Sequence, residues 1–168
     1  MRKIPFKNYV ILGLVFLFTI GVVFYARDWY NTTKEYYMQN SVMKDAIREI
    51  KGDELSNFIL ENQKFILYVA SGKNMEIKDF ENKFKDLIQD MDLNDLVLYM
   101  NLDDVDSNRL YDSLKSYAFD SKVKNQINSN SMASMYVFTD SKIMDVLSNV
   151  NNYSMNRLET VIDRWDIR

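Results

Sequence analysis

The sequence contains no cysteine and no histidine. Their absence removes thiol redox chemistry, cysteine nucleophiles, thiolate and imidazole metal sites, and any Ser-His-Asp arrangement. It also removes the disulfide framework of small secreted scaffolds, so a packed core has to supply the stability. Only four glycines occur in 168 residues, too few for a Gly-rich phosphate cradle. No basic cluster is present either. Residues 27–168 carry 18 of the 21 Lys and Arg against all 24 Asp and Glu, a net charge of −6, which makes a poor nucleic-acid binder.

One long uncharged run is present. Tyr9 to Ala26, YVILGLVFLFTIGVVFYA, is long enough to cross a bilayer, which takes roughly 17 to 25 residues. Arg2, Lys3 and Lys7 precede it, while Arg27 is offset at once by Asp28, so the positive bias puts the N-terminus in the cytoplasm. Phe6, Tyr9, Tyr25, Trp29 and Tyr30 suit the two interfaces. A cleaved signal peptide is the rival reading, but Phe24-Tyr25-Ala26 puts bulky residues where the cleavage site wants small ones. The expected organisation is a basic N-terminus over 1–8, a membrane helix over 9–26, a stalk over 27–46 and a domain over 47–168. The chain would then sit in the cell membrane as a single-pass protein with its domain outside the cell.

Beyond the stalk the pattern alternates between strand and helix. Ile47 to Ile50 reads as a short edge strand, and Asp53 is placed to cap a helix carrying Leu55, Phe58, Ile59 and Leu60. Phe65 to Ala70 is an even apolar run, the mark of a strand buried on both faces. Ile77, Phe80, Phe84, Leu87, Ile88 and Met91 recur at helical spacing, with Lys78, Asp79, Lys83, Lys85 and Asp86 expected outward. Leu96 to Leu102 is a second buried strand, followed by a helix through Leu110, Leu114, Tyr117 and Ala118, capped at Asp106 or Ser107. Met135 to Phe138 and Ile143 to Leu147 form a hairpin, and Leu158, Val161, Ile162 and Trp165 mark a last helix. Crossovers through helices make the middle of this order parallel, the hairpin adds antiparallel strands, and helices cover both faces of the resulting mixed sheet.

This order resembles the thioredoxin-like fold over about residues 47–168. Three stretches carry the resemblance: ILYVAS (66–71), LYMNLDDVDSNRLYDSL (98–114) and SMYVFTDSKIMDVL (134–147). The resemblance implies a redox Cys-x-x-Cys near Lys73 to Glu76, where the chain reads Lys73-Asn74-Met75-Glu76. It implies a cis-proline near Met132-Ala133, where Ala133 stands instead; a non-proline cis bond costs roughly 2.5–4 kcal/mol, so a trans peptide is expected. Both halves of the redox site are missing, as in other membrane-tethered, redox-inactive members found in bacteria.

Asp104-Val105-Asp106-Ser107-Asn108 copies the opening of a calcium loop, but Arg109 and Lys115 stand where the turn glycine and bidentate glutamate belong, so a helix cap is the better reading. No cofactor and no metal is implied. The expected role is a non-catalytic module that binds a protein partner, with Lys73, Asn74, Met75, Glu76, Met132 and Ala133 as the candidate contact surface. Two alternatives remain at this level: a spacer that oligomerises through its membrane helix and stalk, and an enzyme using carboxylates such as Glu76 or Asp104.

Overall fold

The computed structural model describes residues 5–167, so Arg2 and Lys3 of the basic N-terminus lie outside the described residues. The chain divides into two units, residues 1–37 and 38–168. The first is almost wholly one helix, α1 (Phe6–Gln39), whose residues are exposed throughout the apolar run. It is long and apolar enough to cross a membrane. At 1.5 Å per residue its 34 residues extend about 50 Å, well beyond a hydrocarbon core of about 30 Å. Thr19 Oγ1 donates back to the Val15 carbonyl at 2.9 Å, which leaves the run with no unpaired hydroxyl there.

Residues 38–167 form an α/β domain. Five strands, β1 (Arg48–Glu49), β2 (Lys64–Ala70), β3 (Val97–Asn101), β4 (Ala133–Thr139) and β5 (Lys142–Ser148), make one sheet in the order β1-β3-β2-β4-β5. The first three are mutually parallel, and β4 and β5 run antiparallel. Between them lie α2 (Leu55–Glu61), α3 (Lys78–Asp90), α4 (Ser107–Tyr117) and α5 (Ser121–Gln126), and α6 (Met155–Arg164) closes the chain.

β2 is central, and its alternation builds two cores. Ile66, Tyr68 and Ala70 face α3 and α6, meeting Phe84, Ile88, Leu158 and Ile162. Phe65, Leu67 and Val69 face α2, α4 and α5, meeting Ile59, Leu114 and Val123. Both faces are covered, which is why the run from Phe65 reads as continuously apolar rather than alternating. The hairpin turns through Asp140 and Ser141, with φ of 48° and 62°, the left-handed pair that matches the twist of two antiparallel strands. Between Val137 and Phe138 the register shifts, leaving Met144 as the extra residue of a bulge.

Several local expectations change. α2 begins after Glu54 without a side-chain cap from Asp53, and Leu60 points to solvent. α5, capped by Asp120 accepting from the Val123 amide at 2.8 Å, was not foreseen, because only Val123 of its six residues is buried. Ser41 and Met43, within the stretch read as stalk, are buried in the domain. Lys78, expected outward, is buried too, for the reason given below.

Candidate functional site

The loop between β2 and α3 is the stretch where the thioredoxin-like resemblance implies a redox pair, and here its polar groups bond to one another and to the end of β3. The β3 end supplies the partners. Asn101 Oδ1 accepts from the Gly72 amide at 3.1 Å, and Asp103 accepts from the Lys73 amide at 3.2 Å and from Ser71 Oγ at 2.8 Å. Asn74 Oδ1 accepts from the Glu76 amide at 2.9 Å, capping the short 3-10 turn Met75–Ile77 that leads into α3. The Gly72, Lys73, Asn74, Glu76 and Lys78 amides are therefore already bonded within the chain.

Beneath the loop lies a buried charged group that the sequence pattern concealed. Glu81 is wholly buried. Its carboxylate accepts from Ser41 Oγ at 2.6 Å, from the Val42 amide at 2.9 Å and from Tyr68 OH at 3.2 Å. Lys78, one turn earlier on α3, donates to the Gly72 carbonyl at 2.8 Å and to the Asn40 carbonyl. One ammonium thus ties the start of the loop to the segment that follows α1. Burial raises the Glu81 pKa above the ordinary carboxylate value, against the opposing pull of Ser41, the Val42 amide, Lys78 and Tyr68. Burial lowers the Lys78 pKa, with Glu81 and Asp103 acting the other way. Desolvation, and then Glu81, pushes Tyr68 well above the usual phenol. Glu81 falls at helical spacing from Ile77, Phe84 and Ile88, on the buried face of α3, and only its charge hid that placement; Lys78 flanks the same stripe, and the length of its stem with the incoming residues 40–42 brings it inside.

The six candidate contact residues gather at one end of the sheet. Ala133 pairs with Ala70 in the β2–β4 register, so Met132 stands beside the start of the 71–77 loop. Lys73, Met75, Glu76 and Met132 are exposed, Met75 at 46% and Met132 at 44%. Asn74 is half-buried and Ala133 is completely buried, so Ala133 presents no side chain to a partner. Met135, two residues beyond Ala133 on β4, is a core residue. The Met132 amide donates to Asn149 Oδ1 at 3.2 Å, and no peptide bond among the described residues is cis. Asp106 caps α4, accepting from the Asn108 and Arg109 amides at 3.1 and 3.3 Å.

No protein-family model matches the sequence, and no curated protein matches it. Solved structures do resemble the domain. Mitochondrial thioredoxin 3 from Saccharomyces cerevisiae is 15% identical over 71% of this chain and 96% of its own, at a TM-score of 0.50. Thioredoxin f2 from Chlamydomonas reinhardtii is 10% identical over 73% and 98%, also at 0.50. An oxidoreductase with a thioredoxin fold matches at 12% identity over 72% and 97%, again at 0.50. At these identities the likeness is one of fold. The chain has a thioredoxin-like domain and no cysteine with which to exchange disulfides.

Proposed function

We propose that this protein displays a redox-silent thioredoxin-like domain at the outer face of a bacterial membrane, where the loop of residues 73–76 with Met132 contacts a protein partner. The observation that carries the reading is the state of the loop. Its Gly72, Lys73 and Glu76 amides are bonded to the chain's own side chains while Met75 and Met132 remain exposed beside Lys73 and Glu76. Unbranched, polarizable methionine side chains suit a contact surface that adapts to its partner. The exposed apolar run of α1 supports an anchor, and the positive residues before it support a cytoplasmic N-terminus.

A photoreactive residue at Lys73, with a matched control at Glu159 on the exposed side of α6, tests the reading in native membranes. The expected result is one discrete crosslinked protein from position 73 alone, abolished by M75D/M132D in a chain that still melts cooperatively. Equal capture from both positions, or none from either, would contradict it.

A further inference from the structure

A second surface lies apart from the loop. A groove of about 850 Å³ opens at the C-terminal ends of the parallel strands β1 and β3, between the starts of α2 and α4. Ligand sites in sheets of this kind lie characteristically at that end of the strands, and the volume falls within the usual pocket range of roughly 300–1,000 Å³. Val105, half-buried, lines it with apolar surface, over the buried Ile50, Leu55 and Leu110.

The rim carries five carboxylates, Glu49, Asp53, Glu54, Asp104 and Asp106, against three cations, Lys44, Lys51 and Arg109, a net of −2. Arg109 faces Asp106 at 3.4 Å, Lys44 donates to Asn40 Oδ1 at 2.9 Å, and Lys51 is exposed. Asp104 is bonded by Asn101 Nδ2 at 2.7 Å. Glu49 and Asp53, both exposed, have no such commitment. β1 is also the edge of the sheet, with no other strand on its outer side. The Ile50 amide bonds the Tyr99 carbonyl at 2.8 Å, so in the alternation of a strand the polar backbone of Glu49 faces away from β3.

We infer that this groove binds an extended polypeptide segment in which aliphatic side chains alternate with lysine or arginine: aliphatic groups against Ile50 and Val105, a cation between Glu49 and Asp53, and backbone pairing along the outer edge of β1. The net charge of −6 over residues 27–168 disfavours a second copy of this chain on an acidic rim, and the same rim repels an anionic lipid surface. The site is independent of the loop surface proposed above. Either can fail without the other.

The test uses the full-length chain in nanodiscs of zwitterionic lipid and a fluorescent peptide of alternating leucine and lysine, about nine residues and on the order of 30 Å when extended. Saturable binding is expected, weakening as salt is raised. E49K/D53K should weaken it by about tenfold or more, while D86K/D90K, the same charge change on exposed positions of α3, leaves it within about twofold. Replacing leucine by serine in the peptide should also weaken binding by about tenfold or more, since the groove floor is apolar. Absence of saturable binding would overturn the inference, as would equal losses in the two charge variants or undiminished binding of the serine peptide. A chain dimer that E49K/D53K dissolves would overturn it too, giving the groove to a second copy. Both variants should melt like the parent, because all four positions are exposed.

Discussion

At the scale of single residues, Glu81 is where the fold is most exposed to damage. Its carboxylate holds three donors from two parts of the chain, so E81A leaves Ser41, the Val42 amide and the Tyr68 hydroxyl unmatched in the interior and takes the nearby counter-charge from Lys78. Losing one member of such a buried charged set costs about 3–5 kcal/mol, readable in urea unfolding. The pH dependence has a definite sign. A carboxyl whose pKa is raised by folding contributes stability below its unfolded value, here 4.5, and loses that contribution as pH rises through the folded value. Stability should therefore fall from about pH 4.5 upward through the Glu81 titration, and E81Q should remove that slope. If both proteins show the same slope, the buried carboxyl is not its source. Gly72 is the second sensitive position. A Cβ there would lie 3.1 Å from the Ser41 nitrogen and 3.3 Å from the Gln39 carbonyl oxygen, whereas at Gly52 the nearest atom is a Val105 methyl at 3.4 Å. G72A should cost about 1–3 kcal/mol by overpacking backbone on backbone, and G52A should lie within about 1 kcal/mol of the parent, as thermal melting would show.

At the scale of elements, the hairpin gives a prediction of opposite sign. Asp140 and Ser141 hold left-handed conformations that glycine and asparagine adopt more readily, so D140N/S141G should stabilise the domain by about 0.5–1 kcal/mol. Much of the architecture was legible before the structure. β2 announced itself through Phe65 to Ala70, since a strand covered on both faces has no polar alternation to confuse it. α3, α4 and α6 were legible because each buries one face, and the Asp106 cap because aspartate there has two amides within reach. What stayed hidden lay where tertiary contact outweighs pattern. Glu81 lies within the apolar stripe of α3 and Lys78 at its flank, their charge masking a burial that residues 40–42 complete, and α5 offers a single buried residue as its signal. For the candidate contact surface, Ala133 pairs with Ala70 where the 71–77 loop begins, and side-chain direction along β4 was beyond the sequence: Met132 is exposed and Ala133, its neighbour, is buried.

For the whole molecule, the division into a 37-residue helical unit and a compact domain sets the expected behaviour. The apolar run of α1 has no buried residue, so nothing within the described chain shields it from water. If it spans a bilayer, V15R/L17R places two charges near its centre at roughly 2.5–3.5 kcal/mol each, and the chain should move from the alkali-resistant membrane fraction to the soluble or aggregated fraction. A variant that stayed in the resistant fraction would contradict a spanning helix. The domain has no cysteine with which to do thiol chemistry, and the loop of residues 71–77 is where that is tested.

The most direct measurement is the thiol pKa of K73C, read from the pH dependence of alkylation. A reductase loop lowers such a thiol to about 7 or below, whereas a free cysteine titrates near 8.5. With its own amide bonded to Asp103 and that carboxylate beside it, the thiol at position 73 should titrate at or above about 8.5, the behaviour of a loop closed to redox chemistry. A value near 7 or lower would show that the loop stabilises a thiolate, and would contradict the view that its donors are committed within the chain.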